Sequence, residues 1–457
     1  MPGVWQRVGI VVAVVAVSVT LSAVIPPFQS PDEFDHVKRA AGLLSGQILV
    51  STPPGSYPGL WVDDGLLTYM QAYDRLPFGR TTRVNMAMIY DSERFAWTGS
   101  TSFSVAAGVG YYPPFVYLPQ AVGLLAGKTF GWTVARSYRL ARLMVLLSTL
   151  AILFVAFKLF PTNFFTLSLL LLPTTWFQVS SASPDAVTMA LAVLCVSLFM
   201  KSANRHSAIS PWMSVILSTV VVILTTCRMN MGPLILLPLF LYFVRRERLH
   251  LYLTIGALAL IALWTIAALS TTSVVRGGVQ QPFLALTWHY LGHPLEFVKV
   301  LWATLSNGPV TQVYKQQFIG TLGWLEPRLP RWFYTMEIAT LMIALVMSIS
   351  RATLQDDIRE RLMLVFVSLT GLVLLFALLL VSYTPHPATI VMGVQGRYFL
   401  IPLLVLSYSL HGNSRVLPTA RAYIAYPAMA GSGLFALYVM TDALLQKYYV
   451  SPAFVVQ

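Results

Sequence analysis

Apolar runs long enough to cross a bilayer recur along this chain from Val8 to Leu445, and that recurrence constrains the fold more than any other feature. Only helices or closed barrels satisfy their backbone inside lipid, and runs of this length and unbroken apolarity are helical. They fall near 8–25, 113–131, 140–159, 162–180, 185–200, 212–228, 232–244, 250–270, 334–350, 362–382, 398–411 and 422–443. The pattern predicts an all-α polytopic membrane protein of about 11–13 transmembrane helices, built as a single integral membrane domain over 1–457. Composition agrees. The chain is 56% hydrophobic and 10% charged, with a mean hydropathy of +0.70, where soluble domains carry about 25% charged residues.

Two long polar insertions, 26–112 and 271–333, break the series. Bases outnumber acids 30 to 17, for a net charge of +13. Nucleic acid is not the implied partner, because Arg and Lys gather in short loops: "KSANRHS" (201–207), "RRERLH" (245–250) and "RATLQDDIRER" (351–361). Short basic loops mark the cytoplasmic side. Eight of the 17 acids instead lie between Asp32 and Glu93. With the basic loops inside, both insertions face outward, as do "SSASPDA" (180–186), "TCRMNMGP" (226–233) and "YTPHPATIVMGVQGRY" (383–398). One conflict of parity remains, at "RSYRLAR" (136–142), where a segment is re-entrant or wrongly divided. The inner loops leave no room for a nucleotide-binding domain, and neither a Walker loop nor G-x-G-x-x-G is present. Cys195 and Cys227 lie in apolar spans and suggest neither a disulfide framework nor a thiolate metal site. Residues 8–25 read as an uncleaved first helix rather than a signal peptide.

The densest polar stretch follows that first span: "IPPFQSPDEFDHVKRAAGLLSGQ", residues 25–47. Part of it is helix chemistry. Ser30 suits an N-cap, Pro31 the first helical position, and Glu33 the reciprocal partner of a capping box. Phe34, Val37, Ala41 and Leu44 form an apolar stripe and Gly46 ends it, predicting an amphipathic helix over 31–45 on the membrane surface. Capping accounts for one or two acids. Asp32, Asp35, His36 and Arg39 then share the opposite face at i, i+3, i+4 and i+7. The external aromatic stretches "TPPGSYPGLW" (52–61) and "GYYPPFVYLPQ" (110–120) suit sugar stacking or the headgroup interface alike. "GWLEPRLPRW" reads as a surface helix or lid in which Glu326 pairs with Arg328 or Arg331.

"PPFQSPDEFDHVKRA", "SSASPDA" and "GVQGRYFLIPLL" (393–404) together resemble a bacterial membrane-protein family, domain of unknown function 2142, which is itself similar to the GT-C glycosyltransferases. The resemblance implies a GT-C-like bundle whose long first external loop carries amphipathic helices and a catalytic Asp or Asp-Glu pair. It also implies a polyprenyl-phosphate-linked sugar as donor. Transfer from a lipid phosphate to a hydroxyl needs a base for the acceptor's proton and cations for the leaving phosphate. Asp32, matching the first acid of the motif, is the expected base, with Glu33 in reserve and Asp35 and His36 in support. The reaction needs no cofactor, or else a divalent Mg or Mn held by Asp32, Asp35 and His36.

Arg397 is the first candidate for the donor phosphate, since Gly393 and Gly396 permit close backbone approach and arginine grips phosphate bidentately. Arg228, Arg39 and Lys38 follow. Asp185, Gln395 and Tyr398 are expected to line the cavity, although Asp185 equally suits the start of a helix and Tyr398 an aromatic belt. The expected function is sugar transfer to a cell-envelope glycan or glycolipid, in polysaccharide biosynthesis at the external face of the bacterial inner membrane. A single displacement would invert the anomeric centre. A lipid-linked saccharide flippase, a glycan polymerase and a non-catalytic assembly factor are the alternatives.

Overall fold

The computed structural model describes residues 4–77, 79, 81–204, 210–272, 283–349, 357–410 and 419–450. The first span is α1 (Val4–Val24), and the first insertion then folds as α2 (Glu33–Leu44), β1 (Gly59–Asp63), α3 (Asp64–Gln71), α4 (Met86–Ser92) and β2 (Thr101–Val105). Next come α5 (Leu118–Thr129), α6 (Val134–Leu159), α7 (Phe164–Leu170), α8 (Pro173–Val179), α9 (Asp185–Ala203) and α10 (Pro211–Cys227). A 3₁₀ turn, Met229–Ile235, runs into α11 (Leu236–Arg245), which is followed by α12 (Arg248–Thr272). The second insertion holds α13 (Phe283–Gly292), α14 (Pro294–Ser306) and α15 (Gly308–Gly320). The chain closes with α16 (Arg331–Ser348), α17 (Ile358–Ser382), α18 (Leu400–Ser407) and α19 (Thr419–Tyr448).

Among the described residues, α6, α9, α12, α17 and α19 are long and apolar enough to cross a membrane, and α1, α10, α11 and α18 belong to shorter apolar segments. The chain is therefore a multi-pass helical membrane protein. Between Asp185 at its start and Lys201 near its end, α9 has no polar face; it is enclosed on nearly every side and forms the centre of the bundle. By contrast, α12 exposes Leu258, Leu260, Leu263, Ile266 and Leu269, which in a membrane meet acyl chains. A second core joins the first insertion to α1, α6 and α19 through Phe28, Val37, Leu66, Tyr138 and Leu444.

Two of the expected spans are different in kind. The segment at 113–131 yields a 3₁₀ turn, Pro114–Tyr117, and the 12-residue α5, and both its ends meet the first insertion, Tyr117 at His36 and Lys128 at Asp63, so it does not cross. It folds back on α6, where Gly127 lies so close to Ser137 that a Cβ would collide with it. The segment at 162–180 is broken before Pro173, whose ring and missing N–H favour a fresh helix start, into the seven-residue α7 and α8. Broken or not, it runs from one end of the bundle to the other. Asn163 donates to the Ser407 carbonyl (2.8 Å), and at the far end the Ala182 N–H reaches Glu33 (2.6 Å).

With α5 not crossing, the parity conflict disappears. Arg139 and Arg142 then lie at the end that carries the first insertion, facing Glu93 and Glu33. The starts of α9 and α18 and the junction of α10 with the 3₁₀ turn lie at this same end. Lys158, Lys201, Arg245, Arg248, Arg361 and Arg421 mark the opposite one. Parts of the basic loops, 205–209 and 350–356, lie outside the described residues.

The first insertion adds a feature that helical periodicity does not suggest: β1 and β2 pair antiparallel, Gly59 opposite Val105 and Asp63 opposite Thr101. "GWLEPRLPRW" is not helical before Arg331. It is a turn closed by a Thr321–Arg328 bridge, in which Leu325 has φ 65° and Trp324 Nε1 donates to the Phe28 carbonyl at 3.1 Å. Glu326 pairs with Lys447 of α19 rather than with either neighbouring arginine.

Candidate functional site

The site is assembled where four polar breaks between apolar segments meet at one end of the bundle. The first is the entry to α2. The helix begins at Glu33, not Pro31, and Asp32 is its N-cap in the left-handed conformation (φ 62°), a region that Asp tolerates better than most residues. Its side chain makes no capping bond. It turns out to Arg397, with Oδ2 accepting from Nη2 at 2.7 Å, and remains 51% exposed. The second break, before α9, supplies Asp185, which is buried. The third, after α10, supplies Arg228, and the fourth, the turn into α18, supplies Arg397, Gln395 and Tyr398.

These groups form one chain of charges. Asp185 takes Arg228 Nη2 on Oδ1 and Arg397 Nη1 on Oδ2, the latter at 3.1 Å. Arg397 also donates through Nε to Gln395 Oε1 at 2.8 Å and through Nη1 to the Pro31 carbonyl at 3.5 Å. The Tyr398 ring lies beside both guanidiniums, at 5.4 Å from Arg228 and 5.5 Å from Arg397, and Tyr112 lies 5.7 Å from Arg228. Gly396 does allow a close approach, but to the chain itself. A Cβ there would strike the backbone of α15 at Tyr314 and Phe318, and the Gly396 N–H donates to Gln317 Oε1 at 2.9 Å.

Burial raises the proton affinity of Asp32, but the Arg397 charge and hydrogen bond more than offset it, and the carboxyl sits below its usual range. His36 is buried, and desolvation pushes its value down to about 4 although Asp185 and Asp32 favour the proton. The ring is therefore neutral at pH 7, with Nδ1 at 2.9 Å from the Tyr117 hydroxyl.

Behind the arginines a cavity of about 200 Å³ opens. Asp185, Arg228, Arg397, Gln178 and Asn230 line its polar part, and Leu375, Leu378, Leu379 and Ile401 its apolar part. It has the chemistry to hold an anionic head whose tail is hydrocarbon.

Several sequence candidates lie elsewhere. Glu33 does not face this groove. It is fully buried, with Oε1 accepting from Tyr138 (2.7 Å) and Ala182 N (2.6 Å) and Oε2 from Ser30 N (2.9 Å), so geometry removes it as a reserve base. Only half of the predicted capping box forms, because the Ser30 hydroxyl has no partner. Arg39 is buried too and ties the Gln47 and Ile48 carbonyls. Lys38 is held by Asp35 (3.2 Å) and the Val105 carbonyl (2.9 Å), so neither base reaches the arginine cluster. The His36–Arg39 face of α2 therefore points inward, and the helix is wedged into the fold rather than laid on a membrane surface.

Asp32, Asp35 and His36 turn to three different partners, Arg397, Lys38 and Tyr117, and do not converge as ligands. Among the described residues no group of three or more His, Cys, Asp or Glu is placed to hold a metal ion. Sequence reasoning missed Gln178, Asn230 and the α17 leucines as cavity residues. Asn230 stands two places from Arg228 in the same polar break, and that was the available signal. Nothing in their pattern distinguishes the leucines from ordinary core.

The chain belongs to the DUF2142 family of predicted membrane proteins, whose model matches residues 15–407. It is also similar in structure to ArnT from Cupriavidus metallidurans bound to undecaprenyl phosphate, at 13% identity and a TM-score of 0.39 over 97% of this chain and 77% of that one. Against the apo state of the same protein the values are 15% and 0.32, over 96% and 77%. No curated protein matches the sequence.

Proposed function

We propose that this chain is a membrane glycosyltransferase of the GT-C type that moves a sugar from a polyprenyl-phosphate donor to a hydroxyl of a cell-envelope glycan or glycolipid. The observation that carries the reading is one half-exposed carboxylate, Asp32, paired with Arg397, which together with Arg228 lines the polar part of a cavity with apolar walls. Asp32 takes the acceptor's hydroxyl proton as that oxygen attacks the anomeric carbon. The bond from that carbon to the phosphate oxygen breaks, and polyprenyl phosphate leaves with its charge neutralised by Arg228 and Arg397. One displacement inverts the anomeric configuration. The guanidiniums supply the positive charge that the leaving group needs, so no step is assigned to a metal.

Sidedness supports an external site. The acid-bearing insertion shares the site's end of the bundle, and the basic helix termini mark the other, as they would in a bacterial cytoplasmic membrane.

The test is purified protein in lipid vesicles, offered a panel of polyprenyl-phosphate sugars with envelope glycans and glycolipids, with and without EDTA. Radiolabel moving to an acceptor, unaffected by EDTA, is the expected result. Movement of intact donor between leaflets with no transfer would replace the enzyme with a flippase.

A further inference from the structure

The two acids of the cluster hold Arg397 in different ways. Asp185 is buried and grips both arginines at once, one on each oxygen. Asp32 holds Arg397 alone, through a single oxygen, from a position half open to solvent. Four of the five Arg397 N–H groups are already taken, by Gln395, by Asp185 with the Pro31 carbonyl, and by Asp32. A phosphate can therefore take a bidentate grip, two N–H groups at once, only if one of these lets go. Of the two acids the half-exposed Asp32 is the easier to displace, because water replaces its partner at little cost, whereas the buried Asp185 stripped of an arginine is left uncompensated.

Building on the phosphate-donor reading, we infer that Asp185 is a positioning residue that fixes Arg228 and Arg397 side by side as a phosphate clamp, while Asp32 is a displaceable tether on Arg397. The donor phosphate takes the Arg397 edge that Asp32 occupied, and the released carboxylate is then free to meet the acceptor hydroxyl. The base becomes available only when the donor is in place, which suppresses proton abstraction from an acceptor that has nothing to attack.

The inference is testable without turnover. Each acid-to-amide substitution removes one negative charge near the ligand, so simple repulsion predicts that both tighten binding of an anion. The tether-and-clamp arrangement predicts opposite signs. Binding of radiolabelled undecaprenyl phosphate to the full chain in nanodiscs would be measured for wild type, Asp32→Asn, Asp185→Asn and Asp35→Asn. The last removes a nearby charge without touching Arg397. Asp32→Asn should bind about fivefold tighter than Asp35→Asn, and Asp185→Asn about tenfold weaker than wild type.

Equal affinities for the position 32 and position 35 variants would overturn the tether, and tighter binding by Asp185→Asn would overturn the clamp. If Asp185→Asn does not fold, the comparison of positions 32 and 35 decides. If wild type binds no undecaprenyl phosphate at all, the donor reading itself fails, and this one with it.

Discussion

Two acid–arginine networks lie at the same end of the bundle, one closed and one open, and they begin at adjacent residues. In the closed one, Glu33 is wholly buried with Tyr138, Arg142, Ser30 N and Ala182 N around it. Arg142 spends its remaining donors on the Ser22, Ile25 and Pro26 carbonyls, all at 2.9 Å, and so caps the C-terminus of α1. This network ties α1, α2, α6 and the turn before α9 together. In the open one, Asp32 reaches the solvent-facing side of Arg397. A left-handed backbone at Asp32 separates the two side chains, sending one inward and the other to the groove. Sharing a motif therefore says little about sharing a role: what matters is whether each carboxylate has spare oxygen lone pairs and room for a ligand.

The contrast can be broken most severely at Asp32. Asp32→Asn should lower sugar transfer about 10²–10⁴-fold, the usual worth of a general base, while the melting temperature in detergent changes little. A melting temperature that falls along with activity would make Asp32 structural like its neighbour.

Glu33→Gln should act on the other axis. It leaves the buried Arg142 charge unpaired and should cost about 3–5 kcal/mol of stability, seen as a lower midpoint in thermal or denaturant unfolding. A midpoint within error of wild type would mean that the closed network contributes nothing.

Acid sharpens the comparison further, through His36. Its value in the fold is about 4, below the ordinary value near 6.5 of an exposed histidine. As pH falls from about 6.5 to about 4 the unfolded chain takes up a proton that the folded chain refuses, so stability is full above that window and declines within it, by at most about 3 kcal/mol. His36→Gln should flatten that slope in melts collected across the range. The lowered Asp32 value places its own acid limb in a kcat/KM profile below that of an ordinary aspartate.

The smallest expected effect is at Arg228. Arg228→Gln leaves Arg397 and Asp185 in place, so the donor KM should rise about tenfold. A changed acceptor KM with an unaltered donor KM would move Arg228 to the acceptor side.

Much of this arrangement was legible in the sequence because a polar break between apolar spans is costly unless it does something. "SPDEF", "SPDA", "CRMN" and "QGRY" are such breaks, and assigning them to one side by loop charge sufficed to predict that Asp32, Asp185, Arg228 and Arg397 could meet. The direction each side chain takes was not legible. Helical spacing placed His36 and Arg39 on an outer face, but a wedge of the first insertion covers that face, and only tertiary packing decides so. The turn at Asp32 depends on a single φ value that no periodicity encodes. Likewise α5 and the broken α7–α8 have the hydropathy of full spans. What separates them is where each helix starts: Pro114 opens a 3₁₀ turn ahead of α5, and Pro173 restarts the broken span.

The most direct test of the account compares the two neighbours in one assay: sugar transfer per folded molecule, with the folded fraction taken from size-exclusion profiles, for Asp32→Asn and Glu33→Gln reconstituted side by side. The account predicts that the folded Glu33→Gln protein keeps a rate within about tenfold of wild type while Asp32→Asn loses at least about 10²-fold. The reverse result, a well-folded Glu33→Gln protein that is inactive beside an active Asp32→Asn, would contradict it and put the base in the closed network.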